Sequence, residues 1–293
     1  MKYMKLAVPL FVALAFAPIQ GLAATILPPE LGSFAVLGAS TVTNTGATTL
    51  TGNLGVFPGT VITGKASITV NGTNAATLGN PSVHEGNAFA NLARDQLIAA
   101  RVSLGLLGPG TLLLEDLAGA TLIPGIYTVP AGISNLTGTL TLDGLGNDDA
   151  AWYFQMPSTL ITSPGAVVNL TNVGANAGVW WNVGSSATLD TFTLFEGNIL
   201  AYANITLNQG ARIGCGRALA QTESVTMINN TITANDCNGA GNIYTDVPSP
   251  VPVPGALLML ATGLGSLFGF RRLRRCVEPF RPLYEPCLRS ASI

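Results

Sequence analysis

The chain has 293 residues, 10% charged and 48% hydrophobic, with 34 glycines. Plentiful, periodic apolar residues exclude a disordered chain, and the low charge with abundant Gly, Thr and Asn favours a turn-rich β protein over a helical one. Between residues 25 and 247, Lys65, Arg94, Arg101, Arg212 and Arg217 face 13 carboxylates, a net charge near −8, which argues against nucleic acid as a partner because phosphate contacts need clustered Lys and Arg.

In chain order, residues 1–24 carry Lys2 and Lys5, an apolar run from Leu6 to Ile19, and the small-residue site Gly21-Leu22-Ala23-Ala24. This pattern predicts a secretory signal peptide and an exported protein whose body, residues 25–247, is long enough for one substantial core. Ser67-Ile68-Thr69-Val70 alternates as a strand does. Ser82-Val83-His84-Glu85 matches a capping box, and Phe89, Leu92, Ala93, Leu97, Ala100 and Leu104 follow helical spacing up to Gly105. One long helix is therefore predicted over residues 83–104. Thr139-Leu140-Thr141-Leu142 alternates again.

From residue 179 onward, short segments recur in threes. Val179–Val183, Ser185–Leu189 and Thr191–Phe195 form one coil; Asn198–Tyr202, Asn204–Leu207 and Gly210–Ile213 the next; Arg217–Ala220, Ser224–Met227 and Asn230–Thr233 the last. Gly184, Gly197, Gly214 and Gly216 fall near the corners, where the backbone must turn sharply. Within the coils one phrase returns at nearly constant spacing: Ser186-Ala187-Thr188-Leu189, Asn204-Ile205-Thr206-Leu207 and Ser224-Val225-Thr226-Met227. Strand side chains alternate between faces, so the apolar members point inward while Ser186, Thr188, Asn204, Thr206, Ser224 and Thr226 share an outer face. Three strands per coil predict an all-β solenoid of triangular cross-section. Its first face is apolar on both sides and needs the long helix as cover. The second carries the Ser/Thr files and is exposed; Thr139 and Thr141, and less directly Ser67–Val70, are read as extending it. Because Ser67 precedes the helix and Thr139 follows it, the solenoid is expected to be discontinuous, its first strands docking late.

Cys215 and Cys237 are the only cysteines of the body; in an oxidising compartment they pair as one disulfide, with two buried free thiols as the alternative. Residues 248–254 form a stiff Pro-rich linker. Gly255–Phe270 carries no charge and is followed by Arg271-Arg272-Leu273-Arg274-Arg275. This order resembles the PEP-CTERM class of sorting signals, which implies a segment (255–275) held transiently in the inner membrane and an outer-surface or extracellular destination. The motif Val251-Pro252-Val253-Pro254 lacks the usual Glu, and the tail 276–293 has no counterpart in that class.

Several stretches of the body are also similar to one family. They include Leu31-Gly32-Ser33-Phe34-Ala35-Val36-Leu37-Gly38, Thr51-Gly52-Asn53-Leu54-Gly55-Val56 and Pro124-Gly125-Ile126-Tyr127. Leu136–Asp143, Ala151-Trp152-Tyr153-Phe154-Gln155, Gly184–Leu189 and Gly216–Ala220 follow in order. Over residues 30–235 the chain resembles the ice-binding-protein-like family of microbial secreted proteins. That resemblance implies a discontinuous right-handed β-helix flanked by one α-helix, and adsorption to ice through a flat face.

The residues suit that role. Thr hydroxyls and methyls at regular spacing can hold ordered water on a rigid plane whose ordering cost was met on folding. The candidate ice-contact residues are Ser186, Thr188, Asn204, Thr206, Ser224 and Thr226, with Thr139 and Thr141 as an extension. A second, less regular candidate face carries Thr191 and Thr193. No enzyme, metal or cofactor is expected: His84 is the only histidine and sits at the proposed helix start, and Asp143, Asp148 and Asp149 read as a solvated loop. The rival reading is a non-catalytic surface or matrix protein that binds exopolysaccharide or neighbouring cells in a biofilm; Trp152, Trp180 and Trp181 would be its sugar platforms, but two or three of them are expected to face the core or the helix.

Overall fold

The computed structural model of the protein describes residues 26–132, 135–174 and 176–234. The predicted signal peptide, Cys237, the Pro-rich linker, the apolar sorting segment and the tail lie outside the described residues.

The described chain winds through three sheets in turn. The first runs Val83–Glu85, Asn53–Val56, Phe34–Gly38, Ala218–Ala220, Asn198–Ala201, Gly178–Val183, Ala151–Met156, Gly125–Thr128, Thr111–Leu112. The second runs Leu160–Ile161, Ala187–Leu189, Ile205–Leu207, Val225–Ile228, Thr41–Thr45, Val61–Thr63, and the third Thr121–Leu122, Thr139–Asn147, Val167–Val173, Leu194–Glu196, Arg212–Cys215, Thr231–Thr233, Thr48–Thr51, Ile68–Val70, Thr73–Asn74. From Ala151 on, each coil gives one strand to the first, one to the second and one to the third, and successive coils pair in parallel. The coil boundaries predicted for residues 179–233 match these strands. Their inward residues form one continuous core from all three sides. Inside it Phe154 and Trp181 stack with centroids 4.0 Å apart, extended by Tyr127 at one end and Phe195 at the other.

The winding is discontinuous, as expected. Phe34–Gly38, Thr41–Thr45 and Thr48–Thr51 dock on the last coil, with Val36 beside Ala218, Thr43 beside Thr226 and Thr49 beside Thr231. The chain therefore starts inside the stack, builds one end as far as Val83–Glu85, and must return to the other end to resume. The helix Ala88–Leu106 makes most of that journey; 19 residues rise about 28 Å. It buries Ala90, Ala93, Ala100, Leu97 and Leu104 on Phe34, Leu37, Leu200 and Leu219 of the first sheet. Small alanines let the helix approach the sheet closely.

The predicted helix start was early. Val83–Glu85 is an edge strand paired with Leu54–Val56, and the cap is Asn87, whose Oδ1 accepts from Ala90 N at 3.0 Å. Backbone pairing with a neighbouring strand prevails over the local capping pattern, and Leu92 is left exposed while Ala90 turns inward. His84 packs between Phe34 and Phe89.

At the junction of the third and first sheets, Gly216 has φ 155° and crosses Gly197 of the preceding coil so closely that a Cβ would overlap the Gly197 carbonyl. Glycine is required there because the stacked corners touch backbone to backbone. Beside them Arg217, fully buried, donates from Nε to Gly32 O, from Nη1 to Asn198 Oδ1 and from Nη2 to Ala234 O at 2.8–2.9 Å.

Glu196 sits at the same corner, with its carboxyl over Gly214, where a Cβ would collide with Oε1. Oε2 is buried without a hydrogen-bond partner among the described residues, and burial pushes the carboxyl up to about 7 despite a hydrogen bond from the Cys215 N–H. The folded protein thus holds a proton that the unfolded chain releases near the ordinary value of 4.5. This stabilisation is complete below the ordinary value and is lost as pH rises through about 7. Glu196→Gln should remove that loss, on the order of 3 kcal/mol. Thermal melts at pH 5 and pH 8 check it: the wild type should lose more stability between them than the variant. Cys215 is buried.

Candidate functional site

The second sheet presents two outward files. In the central one Thr188, Thr206, Thr226, Thr43 and Thr63 lie side by side on five consecutive strands, with Ile161 next to Thr188. At the ladder spacing of about 4.8 Å the five threonines span roughly 19 Å. The flanking file holds Ser186, Asn204 and Ser224, then Thr41 and Val61; it stands about 6.7 Å away, two residues along each strand. Between the files, Ala187, Ile205, Val225, Val42 and Ile62 point into the core and are at most 5% exposed. The plane is anchored from beneath at every strand.

Its chemistry is uniform. Neither file contains a charged side chain; Asp190 and Glu223 stand at the margins, and Asp190 is engaged by Asn208 Nδ2 at 3.0 Å. Asn204 Oδ1 accepts from both Ser224 N and Ser224 Oγ, which fixes that part of the flanking file. The hydroxyls of Thr43, Thr188, Thr206 and Thr226 make no hydrogen bond within the described residues. They are partly exposed, and each offers a donor, an acceptor and a methyl to water.

Six of the eight predicted contact residues come together on this plane. Thr139 and Thr141 do not: they pair with Val167 and Asn169 in the third sheet. Before them the chain crosses the second side with a single bridge, Leu136 to Thr162, and reaches the third side at residue 139. Ser67–Val70 is corrected likewise, since Ile68–Val70 pairs with Thr48–Thr51 in the third sheet. Alternation is the same on both sides of the coil and does not say which side a strand occupies. The third sheet is a poorer plane: the row running from Thr139 is broken by Val167, exposed Leu194 and exposed Arg212. Thr193 turns inward and bonds Thr162 at 2.8 Å between hydroxyls.

Thr41, Thr43 and Thr63 were missed. The signal was present in Thr41-Val42-Thr43-Asn44-Thr45, but these strands join the file from a remote part of the sequence. The tryptophans offer no sugar platform: Trp152 and Trp181 are fully buried, and Trp180 stacks on Tyr153 against the helix-side core. Among the described residues no group of His, Cys, Asp and Glu is placed to hold a metal ion.

The profile of the family described as "Ice-binding-like" matches residues 36–233. An ice-binding protein of Nostoc sp. (strain HG1) is 42% identical over 244 residues, covering 82% of this chain and 84% of that protein. One from Flavobacterium frigoris (strain PS1) is 30% identical over 210 residues, covering 69% and 73%. Among solved structures, an ice binding protein from an Antarctic biological consortium superposes with a TM-score of 0.63 at 34% identity, covering 78% of this chain and 96% of that one. The ice-binding protein of the Antarctic ascomycete Antarctomyces psychrotrophicus gives the same TM-score and identity over 71% and 97%. With the fold, the family match and these relatives in agreement, the chain belongs to the ice-binding-like family.

Proposed function

We propose that this protein adsorbs to ice through the second sheet and restrains crystal growth or recrystallisation. The observation that carries the reading is the file of five threonines in register, uncharged and with four hydroxyls unengaged by protein. Water held on this plane repeats at the ladder spacing, so it can merge with a lattice at many points at once. Each contact is weak, and affinity comes from their number on a surface that is already rigid. The names of the relatives support the same reading. The test is thermal hysteresis with ice-crystal shaping on the purified protein: faceted crystals and a freezing gap are expected, and round, freely growing crystals would reject it.

Within this reading the contact set is Ser186, Thr188, Asn204, Thr206, Ser224 and Thr226 together with Thr41, Thr43 and Thr63. Thr43→Tyr, in a strand laid down early in the chain, should therefore reduce hysteresis as a change at Thr226 does, with an unaltered melt. Thr139→Tyr, on the third sheet, should leave hysteresis unchanged. The signal peptide directs the protein out of the cytoplasm, and a Cys215–Cys237 disulfide closes the last coil. Residues 255–275 hold the chain transiently in the membrane during sorting.

A further inference from the structure

At the corner between the second and third sheets, stacked coils repeat one backbone conformation. Gly165, Phe192, Gly210, Asn229 and Gly46 all have positive φ, from 53° to 77°. They hold equivalent places, because each N–H donates to the carbonyl just before the corresponding residue of the next coil: Gly165 to Thr191, Phe192 to Gln209, Gly210 to Ile228 and Asn229 to Thr45. Glycine and asparagine tolerate this conformation. Phenylalanine does not, and its φ of 56° is a strained one for so bulky a side chain.

Packing does not account for the exception. Phe192 is 65% exposed. Its ring lies over the next corner, where a Cβ on Gly210 would come within 2.7 Å of Cδ1, so part of the ring touches backbone and the rest meets solvent. The residues on either side are pinned. Thr191 N donates to Asp190 Oδ1 at 2.7 Å, and the hydroxyl of buried Thr193 bonds that of Thr162 at 2.8 Å. The fold thus accepts strain in order to hold an apolar ring rigidly in water. Outliers of this kind gather where a surface has a task beyond folding.

The surface beside it is the threonine plane. Phe192 follows Thr188 by four residues, at most about 13 Å along the chain, and the row of corners runs parallel to the threonine file, coil by coil. Reaching from its own coil over the next, the ring borders the part of the plane that holds Thr188 and Thr206. An apolar ring offers water no partner, so water over it keeps its bonds to other water, as it does over the threonine methyls. We propose that Phe192 belongs to the ice-contact surface as an apolar rim that carries it over the corner beyond Thr188 and Thr206. This inference rests on the second sheet being the ice-contact face.

The test compares Phe192→Asn and Phe192→Leu with the wild type, by thermal hysteresis at equal concentration and by thermal melts of the full-length protein. Backbone and contact make opposite demands here. Asn229 shows that asparagine suits the corner, so Phe192→Asn should melt no lower than the wild type yet lose at least about half of its hysteresis. Phe192→Leu is similar in size to Phe192→Asn but apolar and ill-suited to positive φ. It should melt below Phe192→Asn and keep more of the hysteresis. Opposite orders of stability and activity are what a purely structural ring would not give. Full hysteresis in Phe192→Asn beside an active wild type would overturn the proposal and leave the second sheet as the ice-contact face. A wild type without hysteresis would overturn both. A melting temperature of Phe192→Asn that drops along with its hysteresis would make the ring a structural prop and overturn the proposal as well.

Discussion

Thr206→Tyr is expected to abolish ice shaping and leave the fold intact. Thr206 is the neighbour of both Thr188 and Thr226, so a phenol ring at this point stands above the plane and lifts the surface away from the lattice on both sides. The residue is partly exposed and its hydroxyl has no protein partner, so stability should move by no more than about 0.5 kcal/mol. Adsorption should fall at least tenfold, roughly 1.4 kcal/mol, because neighbouring contacts are lost together. Thermal hysteresis and circular dichroism on the same sample decide it. Retained shaping with an unchanged melt would mean that the second sheet is not the ice-contact face.

The second large effect concerns Arg217. Its guanidinium joins Gly32, Asn198 and Ala234, which belong to the short helical turn just before the first docked strand, the preceding coil and the end of the last one. Arg217→Met fills similar space but strands three buried neutral acceptors, each costing about 1–3 kcal/mol. A domain of this size loses roughly 2–4 °C per kcal/mol, so the melting temperature should drop by about 10 °C or more. The same change should loosen Thr43 and Thr63 from the central file, since both lie on strands that dock through this junction. Hydrogen exchange of Thr41–Thr45 should rise more than that of Ala187–Leu189. Equal rises would place the weak point elsewhere.

The coils from residue 179 to 233 were readable because everything that defines them is local: short alternating strands, glycine at the corners, and a phrase that restarts at Ser186, Asn204 and Ser224. Ser186, Thr188, Asn204, Thr206, Ser224 and Thr226 were found on that basis and share one plane. Thr139 and Thr141 carry the same alternation, yet their side of the coil is set by how many corners the chain has turned, which a stretch with only a single bridge on the second side conceals. Thr43 and Thr63 needed knowledge of a pairing between opposite ends of the body, Thr43 with Thr226. Local patterns cannot register such a partner. The helix start failed for a related reason, since Val83–Glu85 is claimed by Leu54–Val56, a strand well back in the chain.

Joining its ends inside the stack also fixes when the protein can assemble. Thr48–Thr51 leaves the ribosome long before Thr231–Thr233, the strand it leans on; at about 5–20 residues per second the wait is roughly 10–35 s. During that time the early strands have unpaired edges and only half their neighbours, the situation in which long-range parallel pairing is slow. Thr226 joins the early members of the threonine file to the late ones, so no nascent fragment can complete the flat face before that residue has been made.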